Sequence, residues 1–154
     1  AETAAERGYT PLVLSARMRG EARESATAHV AIAEECLASG QPVEPPAVLL
    51  SGGETTVTVR GDGTGGPNQE FALSAAIDLP EGAVLGSVDT DGLDGSTDAA
   101  GALVDADTVR DRDAARRALA DNDAYPLLDA REALLVTGET GTNVNDLRAL
   151  AVTE

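Results

Sequence analysis

Four polar, glycine-rich loops hold the residues of this 154-residue chain that could do chemistry. They are "SGGETT" (51–56), "GDGTGGPNQE" (61–70), "DTDGLDGSTDAAG" (89–101) and "TGETGTNVND" (137–146). Each follows an apolar strand-like run or opens a helix. Ligands of α/β sheets sit off the carboxyl ends of strands, where such loops converge. Any one of the four would serve as a turn. Together they predict one site, with all four loops on the same side of a mixed sheet.

The second loop has the spacing of a dinucleotide-binding turn, Gly61-x-Gly63-x-x-Gly66. A strand-like "TTVTV" (55–59) precedes it, a helix-like "NQEFALSAAI" follows, and Asp89 stands about 20 residues on, where a ribose-binding acid belongs. Two details oppose a nicotinamide site. The strand before the loop has a polar threonine face, and Pro67 favours the first helical position, which leaves Gly66 outside the helix. The third loop carries Asp89, Asp91, Asp94 and Asp98 in the manner of a calcium loop. An EF-hand needs glycine sixth and glutamate twelfth, whereas Gly92 is fourth and Ala100 twelfth, so a turn with Asx caps is the better reading and no metal site is expected. "RGD" (60–62) is a coincidence of composition. His29 and Cys36 lie beside an apolar helical stripe and read as packing, because a metal needs several convergent ligands.

Twenty-seven acidic residues face eleven basic ones, and the net charge is −16. All eleven are arginine; there is no lysine. This charge repels nucleic-acid phosphates and anionic membranes, which excludes both as partners. The acids are scattered over the chain, as in proteins adapted to concentrated salt. One cysteine cannot form an internal disulfide, no apolar run has membrane-spanning length, and no signal-peptide pattern is present, so the expected setting is the cytoplasm of a salt-loving cell.

Periodicity supplies the elements that must position the loops. "LVLS" (12–15), "AVLL" (47–50), "TTVTV", "AVLGSV" (83–88), "GALVD" (101–105), "ALLVT" (133–137) and "LRALAV" (147–152) read as strands. Ala22, Ala26, Val30, Ala33 and Leu37 form one stripe of a helix closed by Gly40, and Phe71, Ala75 and Leu79 mark a second closed by Pro80. One or two polar helices fall between 107 and 131, with Pro126 near the start of the second. "SGGE" (51–54) reads as a hairpin turn joining "AVLL" to "TTVTV" as an antiparallel pair. The expected fold is a single α/β domain over 1–154: three layers, α/β/α, around a mixed sheet of about seven short strands.

Taken together, "SGGETTVTVRGDGTGGPNQEFALSAA", "TDGLDGSTDAAGALVD", "NDAY" and "TGETGTNVNDL" resemble the C-terminal MOFRL domain of the class II glycerate kinases, whose relatives are often labelled hydroxypyruvate reductase. The match covers residues 45–152, and 1–44 resembles the family's lead-in strand and helix. The resemblance implies phosphate transfer from ATP, with Mg2+, to D-glycerate. It also implies an active site shared with an N-terminal Rossmann-like domain of the same protein, which brings the catalytic lysine. This chain would then supply half a site, and would bind no cofactor tightly alone.

Carried over by position, Glu54 of "GGETT" and Asp91 of "TDG" correspond to catalytic positions, where each could accept a substrate hydroxyl proton or hold magnesium. Gly52, Gly53, Thr55 and Glu70 fall at phosphate- or substrate-binding positions. So do Gly65, Gly66, Asn68 and Gln69, which would offer donors at a helix N-terminus. Thr140, Thr142, Asn143 and Asn145 would add uncharged donors. The family's "GGRNQE" has an arginine, thought to contact the transferred phosphate, where this chain has Pro67; its "TGPTGTN" has proline where this chain has Glu139. Two other readings stay open: a non-catalytic domain that binds a small anion or a protein partner, and an NAD(P)-dependent hydroxypyruvate reductase.

Overall fold

Strand β2 (Ala47–Gly53) is the hinge of the architecture, because both of its edges are taken. β1 (Thr10–Met18) runs parallel along one edge, and β6 (Asp146–Val152) antiparallel along the other. The computed structural model describes residues 1–153. Beyond β6 lie β3 (Ala83–Asp89), β4 (Gly101–Asp105) and the two-residue β5 (Leu134–Leu135), giving one mixed six-stranded sheet in the order β1-β2-β6-β3-β4-β5. This is the α/β class expected. β1 and the following helix, α2 (Ala22–Ser39), belong to the same sheet and core as the rest, since α2 packs directly on α3 (Pro67–Asp78).

The predicted helical stripe is real: Ala22, Ala26, Val30 and Ala33 are all buried, and Gly40 caps α2 in the left-handed conformation that glycine adopts without penalty. α3 is buried without interruption from Asn68 to Ile77. Its alanines, Ala72, Ala75 and Ala76, keep the helix thin enough to lie between the sheet, α2, α4 (Arg112–Ala120) and α5 (Ala124–Asp129). A short α1 (Glu2–Glu6), with no buried residue, stands beside β1. No helix among the described residues is long and apolar enough to cross a membrane.

Three expectations change. "TTVTV" is not a strand: it makes a single bridge, Thr56 to Glu21, and Thr58 and Val59 are exposed. The alternation of threonine and valine is genuine, but a hairpin partner needs a free edge on β2, and β1 and β6 leave none. "SGGE" is therefore not a turn; β2 continues to Gly53 before the chain departs. There are six strands rather than seven. α2 to α5 gather on one face of the sheet, and Val84, Leu103 and Leu147 lie exposed on the other face.

Candidate half-site at the sheet edge

The four loops do converge, at the edge where β1, β2 and β3 end and β4 and β6 begin. Asp146, the first residue of β6, is the hub. Its Oδ2 accepts the Thr55 N–H at 2.9 Å, and its Oδ1 accepts the Asn68 Nδ2–H at 2.7 Å. Arg148 Nη2 donates to the same Oδ2 at 2.6 Å and to Thr55 Oγ1 at 2.6 Å. Asn68 also accepts from Ser87 Oγ at 2.7 Å, which ties in β3. The fourth loop joins the third through the Thr140 N–H on the Asp91 carbonyl at 2.9 Å and the Thr140 hydroxyl on the Thr90 carbonyl at 2.6 Å.

The α3 N-terminus is not open to an external anion. Pro67 has no N–H, the Asn68 and Gln69 N–H groups donate to Asp94 Oδ1 and Oδ2 at 3.0 and 2.8 Å, and the Glu70 N–H bonds Gly66 O. The chain's own carboxylate fills the position where a phosphate was expected. Asn68, Gln69 and Glu70 are buried: Gln69 Nε2 donates to Thr97 Oγ1 at 2.7 Å, while Glu70 accepts from Arg23 Nη2 at 2.7 Å and Asn122 Nδ2 at 2.6 Å. Gly65 and Gly66, Asn68, Gln69 and Glu70 are thus internal framework. So are Thr55, buried on Asp146, and Gly52 and Gly53. A β-carbon at Gly53, where φ is +137°, would overlap the Met18 backbone. Asp94, read from sequence as a turn residue, is the cap of α3, and burial pushes its carboxyl up to about 6.

The glycine spacing has the same internal explanation. The N–H groups of Arg60 and Gly61 both donate to Asn122 Oδ1, Gly63 N–H to Asp121 O, and Thr64 N–H to Asp123 Oδ1. A β-carbon at Gly63 would come within 2.5 Å of that of Asp123, and one at Gly66 within 2.5 Å of Asp94 Cγ. These glycines allow two loops to touch, and the N–H groups of Gly61, Gly63 and Thr64 are spent on that contact.

What stays open is a cleft of about 400 Å3 lined by Asp91, Leu93, Glu139, Gly141, Thr142 and Asn143. Asp91 Oδ1 accepts the Leu93 N–H at 3.0 Å, and its Oδ2 accepts Asn143 Nδ2–H at 3.0 Å, which fixes the carboxylate at the cleft wall. Asn143 in turn is held by the Asn145 N–H on its Oδ1 at 2.8 Å, and Asn145 takes a positive φ of 66° to make that turn. Glu54 is exposed at the same edge of the sheet, with its N–H on Met18 O, but it does not line this cleft. No group of three or more His, Cys, Asp or Glu is arranged to hold a metal among the described residues.

Asp146 and Arg148 escaped the sequence reading. The signal was present: in "DLRALAV" the inward positions are Asp146, Arg148, Leu150 and Val152, and two charges on an inward parity mark a buried ion pair. His29 is packing, as expected. Its Nδ1–H donates to Ser25 O at 2.8 Å, Ser51 Oγ donates to its Nε2 at 2.7 Å, and burial lowers its pKa. Cys36 is buried and free.

A family model, that of the MOFRL family, matches residues 47–146. The D-glycerate 2-kinase of Thermotoga maritima is 46% identical over 150 residues, 94% of this chain and 36% of the kinase. A relative from Agrobacterium vitis with a provisional hydroxypyruvate reductase name is 46% identical over 160 residues, covering 99% of this chain and 42% of its own. Among solved structures, a crystal structure of glycerate kinase from Thermotoga maritima superposes with a TM-score of 0.95 at 44% identity, over 99% of this chain and 38% of that one. The chain spans little more than a third of the length of these proteins.

Proposed function

This chain belongs to the MOFRL family, and on that premise we propose that it is one wall of the active site of a glycerate 2-kinase, the C-terminal part of a longer two-domain enzyme. The observation that carries the reading is Asp91: a carboxylate fixed by Asn143 and the Leu93 amide, in a cleft it shares with Glu139 and the uncharged polar side chains of Thr142 and Asn143. An oriented carboxylate accepts the proton of the glycerate hydroxyl that attacks the phosphoryl group. Thr142 and Asn143 supply hydrogen bonds to the small, polar substrate, and Glu54 offers a second acid from the adjoining loop.

ATP, with Mg2+, is the phosphate source in this reading, and it belongs with the other domain. The donors of the α3 N-terminus are already spent on Asp94, and no metal-type cluster exists among the described residues, so the chain's own residues do not fit a polyphosphate. The N-terminal Rossmann-like domain would bring the nucleotide site and the lysine that this chain lacks. Nucleotide chemistry there, and hydroxyl activation here, divide the reaction between two walls.

The test uses the longer protein. Asp91→Asn should lower kcat by about 10²–10³ with little change in ATP affinity, the usual size of a lost general base. An unchanged kcat would remove Asp91 from the chemistry. Purified alone, the 154-residue chain should form no 2-phosphoglycerate. NADH consumption with hydroxypyruvate should stay at background, because the N–H groups of Gly61, Gly63 and Thr64 are engaged by residues 121–123 and those of Asn68 and Gln69 by Asp94. A non-catalytic, anion- or partner-binding role has one observation in its favour, Pro67 in place of the family's arginine. An inactive longer protein would select it.

A further inference from the structure

The sheet face turned away from α2 and α3 is apolar across five strands. Its middle rung runs Val13–Leu50–Ala149–Gly86–Leu103 by strand register. Leu147 and Val84 flank it, and Val13, Leu103 and Leu147 are 58%, 49% and 48% exposed. Scattered exposed apolar residues are ordinary, but a contiguous apolar face of this extent marks a contact surface. We propose that it is the contact between two copies of this chain.

Charge selects that occupant. With 27 acids against 11 arginines, almost any pairing of two copies opposes like charges. On β2, β6, β3 and β4 the three rungs of this face carry a single charge, Asp105, at the β4 margin, and Arg17 is exposed where the β1 register shifts. A basic protein partner would find nothing here to read, whereas an identical face meets it without repulsion. Shape agrees. Gly86 and Ala149 form the centre, Leu103 leans over it with Cδ1 3.6 Å from where a Gly86 β-carbon would sit, and Leu50 and Leu147 stand beside it, so a two-fold axis lets the leucines of the two copies interdigitate. Two sheets packed in this way lie about 10 Å apart with interdigitating side chains.

Five strands and three rungs cover on the order of 400 Å2. With their rims, two copies would bury on the order of 1,000 Å2 in total, the lower end for a specific interface, so the dimer is a reversible one that depends on concentration. Screening of the acidic rims makes it tighter in salt.

Sedimentation velocity on the 154-residue chain tests this, over a concentration series in low and in molar potassium chloride. The expected result is a concentration-dependent dimer, tighter in high salt, that Leu103→Arg or Leu147→Glu weakens at least about 30-fold, the effect of losing one central contact. Both positions are exposed, so circular dichroism of the variants should match the parent. Val59→Glu, 75% exposed in the loop before the glycines, should leave the dimer unchanged. A chain that stays monomeric at millimolar concentration in molar salt would overturn the proposal. So would a dimer insensitive to both leucine variants, or a face occupied only when the rest of a longer polypeptide is present.

Discussion

Arg148 Nη2 stands 2.6 Å from Asp146 Oδ2, and the arginine side chain is wholly buried. Its guanidinium lies over the Phe71 ring, 4.4 Å from the centroid, while Nε and Nη1 have no protein acceptor. A buried pair of this kind is weak as a source of stability but costly to break, because the surviving charge has nowhere to go. Asp146→Ala should therefore destabilise by about 3–5 kcal/mol in urea unfolding, and Arg148→Met by less, since the carboxylate keeps Thr55 and Asn68 as donors. The double variant should be more stable than Asp146→Ala alone. If it is worse than either single change, the pair is not the hub of the four loops.

Asp94 gives a pH signature. Burial holds its carboxyl at about 6, above the ordinary 3.8, so the fold favours the protonated acid. Its contribution to stability is full below about pH 4 and is lost as pH rises through about 6. Relative to Asp94→Asn, the parent should lose about 2–3 kcal/mol between those limits, following about two pKa units. At acid pH Asp94→Ala should cost about 2–4 kcal/mol by stranding the Asn68 and Gln69 amides, and the cost should shrink as pH rises through about 6. A parent-to-Asn difference that is flat with pH would show that the amide donors, and not burial, control this carboxyl.

Pro67 remains the sharpest departure from the family. It is half-buried at the first position of α3, and its missing N–H is no loss there. In the longer protein, Pro67→Arg should raise kcat/KM for glycerate by about 10²–10³, the worth of one charge-assisted bond to a transferring phosphoryl group. Arg60 does not stand in for it. That residue lines a separate cleft with Glu21, Arg23, Glu24 and Thr58, so Arg60→Ala should leave the rate within a few-fold. Loss of activity on Arg60→Ala would place the working cation in that second cleft.

Salt should stabilise the fold. Among the described residues four ion pairs form, Arg23–Glu70, Arg112–Asp78, Arg116–Asp113 and Arg148–Asp146, which leaves most of the 27 acids without a cation. The melting temperature should climb from low to molar potassium chloride as their repulsion is screened. A flat or falling curve would mean that this repulsion is negligible.

The sequence carried the helices and the convergence of the loops well, because both depend on local signals. The alanine stripe of α2, Pro67 at the start of α3 and Gly40 at the end of α2 act within a few residues of themselves. It misled wherever a competitor came from far along the chain. "TTVTV" alternates as a strand should, but residues 146–152 claim the edge it would need. The glycine loop has the spacing of a phosphate cradle, but Asp94 and the 121–123 segment take most of its donors. Local spacing reports what a segment can bind; it does not report which distant residue arrives first.

The place of β6 between β2 and β3 also governs how the molecule can be made. On a ribosome, β1 and β2 can pair as soon as they emerge, and so can β3 with β4. These two halves have no strand in common until residues 146–152 have left the exit tunnel, and the buried face of α3 waits with them. Emergence of residues 146–152 is therefore followed by a single closure, in which seven residues join both halves and carry Asp146 and Arg148 into the interior. Until that moment the nascent chain exposes its alanine-rich helices and open strand edges, and it is then that it depends most on chaperones.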